Sequence, residues 1–207
     1  MKTLGILSSG RAEEYTAILE HLQGKDIAVT CINTDFKSDI FDYVKRYENV
    51  KAVCVGSDGM LQYFSENDFD LVAVRNCAVE LKPQVINASR FIKVHPSLLP
   101  AFSGSDSLYR AFDAGVKVTG ITVYYLSSTL EGGKIITQYP ILIPNLMHYD
   151  ELQKSVKALE DGIFPIVIEK ILEDKVFDFQ DLLPNQSRGG STACGVGCSS
   201  CGGCGGH

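Results

Sequence analysis

The chain has 207 residues, with 19 basic against 25 acidic side chains and a formal charge of -6. That length holds one domain with a substantial core and is too short for two ordinary domains and a linker. The acidic balance argues against a nucleic acid or an anionic membrane held by bulk electrostatics, and no apolar run reaches the roughly 18 residues that suggest a spanning helix.

Thr3 to Leu7 is an apolar run ending at Ser8-Ser9-Gly10, and Glu13 to Gln23 follows with Tyr15, Ile18, Leu19 and Leu22 on one helical face. The apolar patch in MKTLGILSSG is too short for a signal peptide and works better as a first strand. Cys31, Cys54 and Cys77 sit in or beside apolar runs, IAVTCIN, KAVCVG and LVAVRNC, where a reduced thiol behaves as a small hydrophobe. Both features point to a cytoplasmic protein. Ile27 to Asn33, Lys51 to Val55 and Leu71 to Arg75 read as further strands, with helices at Asp39 to Arg46, Gly59 to Glu66 and Lys82 to Ala88. Strands alternating with helices imply an α/β fold, Rossmann-like, whose mostly parallel sheet carries helices on both faces.

The first loop is a candidate anion site. Gly10 permits a tight turn, the N–H groups of the next helix point out of it, and Arg11 adds a cation. A strand-Gly-helix turn is also a common structural device, and Glu13 and Glu14 would repel the anion that Ser9, Gly10 and Arg11 attract.

The run from Phe91 to Ile143 is where the chemistry concentrates. FIKVH alternates, placing Ile92 and Val94 on one side of a short strand and Lys93 and His95 on the other, before Pro96 stops it. Two polar side chains thus share a face at a strand's C-terminal end, where parallel α/β sheets bind ligands. An irregular loop, Ser97 to Gly104, leads to a helix from Ser105 or Asp106 to Ala114. A strand from Val118 to Leu126, the loop Leu130-Glu131-Gly132-Gly133 and a strand from Lys134 to Ile143 follow. Asp150 to Glu173 is a long helix with Gln153 placed for a capping box and Pro165 at a kink. On it Lys157 and Glu160 share a face; as residues alone they read as a solvated i, i+3 pair.

HPSLLPAFSG, AFDAGVKVTGITV and LEGGKIITQ together resemble the core of the folate-dependent formyltransferases, most of all the glycinamide ribonucleotide branch, over roughly the first 180 residues. The resemblance implies the formyltransferase fold over residues 1–183 and transfer of a formyl group from 10-formyltetrahydrofolate to a small amine, glycinamide ribonucleotide among the candidates, in purine biosynthesis. The family's three catalytic positions, an Asn two before the HPS histidine, that histidine and an Asp before the GG, fall here on Lys93, His95 and Glu131. A tetrahedral adduct needs a donor for its oxyanion and a group that manages the amine's proton, roles that Lys93 with His95 and Glu131 would fill. The same three side chains also admit a structural ion pair from Lys93 to Glu131 and a core-edge histidine. By the same likeness, Glu160, with Lys157 near it, faces the substrate ribose, and Ser9, Gly10 and Arg11 occupy the substrate phosphate loop, here SSGRAEE. Leu81, Leu126, Thr129 and Leu130 line the folate side, and the family's Tyr-Met-Arg segment and TVH histidine are replaced by Cys77-Ala78-Val79 and Tyr124.

From Pro184 the composition shifts to Asn, Gln, Ser and Gly, and residues 184–207 form a Gly- and Cys-rich tail outside the resemblance. Cys194, Cys198, Cys201 and Cys204, followed by His207, supply enough ligands for an iron-sulfur cluster or zinc. The alternative is a thiol-rich tail that scavenges metal or is modified by a partner. The rival function is therefore a catalytically divergent formyltransferase-fold protein whose tail does metal-linked or redox work. The expected partners are a folate and a small amine, not nucleic acid or membrane, with room for a homodimer and for a redox or metal-delivery partner of the tail.

Overall fold

Seven strands form one sheet in the order β3-β2-β1-β4-β5-β6-β7. The structure, a computed structural model, describes residues 1–128 and 133–175. All of these fall in the compact unit Met1–Phe177. Thr129, Leu130 and Glu131, and the tail with Cys194, Cys198, Cys201 and Cys204, lie outside the described residues.

β1 (Lys2–Ser8), β2 (Ile27–Asn33), β3 (Val50–Cys54), β4 (Leu71–Val74) and β5 (Phe91–His95) run parallel, while β6 (Val118–Tyr125) and β7 (Lys134–Leu142) are added antiparallel. β4 is buried at all four positions, as expected of a strand covered on both faces. On one face Val72, Val74 and Phe91 pack with Met60 and Phe64 of α3 (Met60–Glu66) and Val85 of α4 (Pro83–Ala88). α1 (Glu13–Leu22) packs against α6 (Tyr149–Leu172), burying Tyr15, Ile18 and Leu19 from one and Val156, Phe164 and Val167 from the other. The parallel strands and helices of the expected α/β fold are all present, and the sheet is mixed because β6 runs against both of its neighbours.

Local chemistry moved several boundaries. Asp39 to Arg46 is not one helix: α2 covers Ile40–Tyr43 and a 3-10 turn covers Val44–Arg46. α6 begins before Asp150, because His148 is its N-cap and forms the capping box with Glu151 rather than with Gln153. Pro165 lies inside that helix and is buried. Among the three cysteines of the strand regions only Cys31 is fully buried, and burial pushes its thiol up to about 12; Cys54 is exposed.

The chain runs outward from β1 through β2 to β3, then returns to β4 on the other side of β1. The carboxyl ends of β1 and β4 therefore flank a topological switch point, where an open α/β sheet leaves a crevice.

Candidate active site

β5 ends one strand away from that crevice. His95 is half-buried and its Nε2 lies 3.1 Å from the Phe102 carbonyl. A carbonyl only accepts, so in the neutral ring Nε2 carries the proton and Nδ1 is the acceptor. Burial, with help from the Lys93 ammonium and the Arg110 guanidinium, holds His95 below its ordinary value, although its bond to Phe102 opposes that shift. Among the described residues no acceptor is bonded to Lys93; whether Glu131 meets it lies outside them.

The loop that presents Phe102 is fixed from β6 and β7. Thr122, fully buried, donates to the Ser97 carbonyl at 2.7 Å and accepts from the Leu99 N–H at 3.0 Å. Gln138 donates to the Leu99 carbonyl at 2.7 Å and to Thr122 at 3.0 Å, while Ser97 donates to the Ala101 carbonyl at 2.7 Å. The chain then reverses through left-handed backbone at Phe102, Gly104 and Asp106, with φ of 53, 84 and 52°. Arg110 of α5 (Ser107–Asp113) closes it on the Ser103 carbonyl. Two residues before Lys93, Phe91 belongs to the buried cluster against which Leu81 and Leu126 pack, so both leucines border the base of this strand. Tyr124 stands opposite Lys93 in the ladder and is buried.

Ser9, Gly10 and Arg11 follow β1. The Ser9 N–H donates to the Asn76 carbonyl at 3.1 Å and its hydroxyl accepts from the Ala78 N–H at 2.9 Å. The Gly10 carbonyl takes hydrogen bonds from Asn33 and Ser38, at 2.8 and 3.0 Å. Arg11 is exposed on the rim of a depression of about 250 Å³ shared with Ser9, Gly10, Asp35, Lys37, Ser38 and Asp39.

Glu160 joins a different group from the one its helix position suggests. It lies 3.8 Å from Arg75, the residue after β4, whose side chain is only 3 % exposed. Arg75 also lies 2.6 Å from Asp161 and 3.5 Å from Glu14 of α1. Lys157 turns to Asp161 at 3.7 Å, which is an i, i+4 contact, and not to Glu160. Burial outweighs the attraction of Arg75 and, with the neighbouring carboxylates of Asp161 and Glu14, pushes Glu160 up to about 7. Arg75 Nη1 has no hydrogen-bond partner among the described residues. Asn76 donates to Glu14 at 3.2 Å, so Ser9, Asn76, Glu14, Arg75 and Glu160 form one connected chain across the ends of β1 and β4.

Sequence reasoning missed Arg75, Asp161, Thr122 and Gln138. Arg75 left a signal: one guanidinium closing the apolar run LVAV is costly to bury unless paired or used. Thr122 and Gln138 left none, since a Thr and a Gln in strands are ordinary until the loop they clamp is known. Among the described residues no cluster of three metal-ligating side chains occurs, and no helix is long and apolar enough to cross a membrane.

A mixed sheet with a switch-point crevice, an imidazole and an ammonium at the end of its fifth strand, and carboxylates on the facing helix defines an α/β domain built to act on a small molecule. Residues 7–168 match the family described as formyl transferase, and the chain belongs to that family. It is 29% identical over 189 residues to a phosphoribosylglycinamide formyltransferase of Bacillus subtilis, spanning 83% of this chain and 95% of the relative. A formyltetrahydrofolate deformylase of the same organism is 28% identical over 138 residues, which are 66% of this chain and 45% of the relative. The crystal structure of glycinamide ribonucleotide transformylase 1 from Geobacillus kaustophilus superposes with a TM-score of 0.74 at 24% identity, over 83% of this chain and 99% of that one, a likeness of fold.

Proposed function

We propose that this chain transfers a formyl group from 10-formyltetrahydrofolate to a small amine. The acceptor nitrogen attacks the formyl carbon, and the carbonyl becomes an oxyanion in a tetrahedral adduct. Collapse breaks the bond to folate N10, which takes up a proton while the attacking nitrogen loses one. Lys93 stabilises the oxyanion, His95 through its free Nδ1 accepts the proton that the attacking nitrogen loses, and Glu131 assists the proton movement. Leu81, Leu126, Thr129 and Leu130 hold the folate side. Ser9, Gly10, Arg11, Lys157 and Glu160 face the acceptor.

The observation that carries this reading is the neutral His95 ring held by the Phe102 carbonyl beside Lys93, on a strand of a formyl transferase family domain. An ammonium in that place supplies charge to an oxyanion without needing the ring to be protonated. The test is consumption of 10-formyltetrahydrofolate in the presence of candidate amines, followed by absorbance, with formate measured in parallel. Amine-dependent consumption that His95→Ala abolishes is the expected result. Formate release that no amine accelerates would make water the acceptor, and absence of both folate binding and turnover would end the proposal.

A further inference from the structure

The junction between β1 and α1 has the ingredients of an anion site, a tight Gly turn leading into a ten-residue helix, yet several of its donors are already used. Ser9 N–H donates to the Asn76 carbonyl at 3.1 Å and Gly10 N–H to the Ser8 hydroxyl at 2.9 Å. Ala12 N–H, at the helix entrance, donates to the Asp39 carboxylate at 2.7 Å. The amides of Glu14 and Tyr15 turn back on the carbonyls of Arg11 and Ala12, both at 3.0 Å. An incoming anion therefore finds a carboxylate of the chain in the position it would take.

The surroundings repeat the message. Glu13 and Glu14 form the first turn of α1, and a Cβ on Gly10 would meet the Glu14 Cγ at 2.6 Å, so that side chain lies over the loop. In the depression beside it Arg11 and Lys37 are balanced by Asp35 and Asp39. Further along the crevice Arg75 is shared by three carboxylates. A phosphate dianion placed here meets no net positive charge and must compete with Asp39 for its amide.

We infer that Asp39 is a specificity-determining residue that closes the acceptor side to phosphorylated amines, so that the acceptor is an amine without a phosphate group. This rests on the formyl-transfer reading above and names the acceptor class within it.

Two measurements on the full chain separate the claims. The first compares kcat/KM for glycinamide ribonucleotide with that for the same amine stripped of its phosphate. The expected result is a preference of about tenfold or more for the unphosphorylated amine, narrowed in Asp39→Ala. A smaller preference in the wild type, or a reversed one, overturns the inference. The second is calorimetric titration with inorganic phosphate against chloride at matched ionic strength. The wild type is expected to show no binding at millimolar phosphate, and Asp39→Ala to gain it. Should Asp39→Ala not fold, Asp39→Gly, which also removes both the charge and the oxygen that holds the Ala12 amide, decides by the same gain. Phosphate binding by the wild type, through Arg11 and Lys37 for instance, overturns the inference, as does failure of either folded variant to gain binding. If neither amine is formylated, the formyl-transfer reading fails and the phosphate titration alone judges the role of Asp39.

Discussion

His95 and Lys93 are two residues apart on one face of β5, so the Lys93 ammonium bears on the charge of the His95 ring. Because burial, Lys93 and Arg110 disfavour the imidazolium, the ring is neutral at pH 7, and the acid limb of kcat/KM falls below the ordinary histidine value of 6.5. Lys93→Gln is expected to move that limb upward, since it removes a repelling charge, as well as lowering the rate. His95→Ala is expected to reduce kcat/KM by about two to three orders of magnitude in the 10-formyltetrahydrofolate assay. Glu160 titrates in the other sense. Its pKa rises from 4.5 to about 7 on folding, so its contribution to stability is complete below 4.5 and is lost as pH rises through about 7. Glu160→Gln imitates the protonated form and is expected to be more stable than wild type above neutrality, by up to about 3 kcal/mol, with the gap closing in acid. Melting temperatures across that range check it. At this scale the sequence exposed His95 and Lys93, because alternation in FIKVH forces both onto one face. It did not expose the partner of Glu160, because that depends on where Arg75 of a distant strand comes to lie.

Elements carry the next set of consequences. Thr122 serves the Ser97 carbonyl, the Leu99 N–H and Gln138 at once, so Thr122→Val leaves a buried amide without an acceptor. The expected loss is about 1–3 kcal/mol in urea unfolding, together with a loss of turnover as Phe102 releases His95; Thr122→Ser restores both. Gly120 faces Pro140 across the β6–β7 ladder, and a Cβ there would run into the Tyr139 backbone carbonyl. Gly120→Ala is expected to destabilise the fold by at least about 3 kcal/mol, measured the same way, because backbone cannot step aside as a side chain can. Most elements were legible to within two residues from periodicity and punctuation. The loop from Ser97 to Gly104 was not, since its path is set by hydrogen bonds from strands that follow it in the chain. The helix after Asp39 passes into a 3-10 turn at Val44–Arg46, and the carboxylate of Asp39 is engaged with Ala12 instead of capping its own first turn.

At the scale of the whole molecule, Arg75 ties the sheet to both α1 and α6 through Glu14, Glu160 and Asp161. Arg75→Ala strands three carboxylates around a vacated, water-poor space, and about 3–5 kcal/mol of stability is expected to be lost. Adding Glu160→Gln to that variant recovers part of it, because one of the stranded charges is gone, and denaturant titration of both variants measures the difference. The order of the parallel strands was legible only as a class: alternating strands and helices imply parallel pairing, whereas the reversal at β6 depends on contacts that no local pattern encodes. That reversal has its own outcome for how this protein changes over time. β5 is laced to β4 on one flank and to β6 on the other. Its backbone therefore has little room to slide or bow when the side chain at position 93 is exchanged, and new reactivity there can be acquired by single replacements, with the frame left in place.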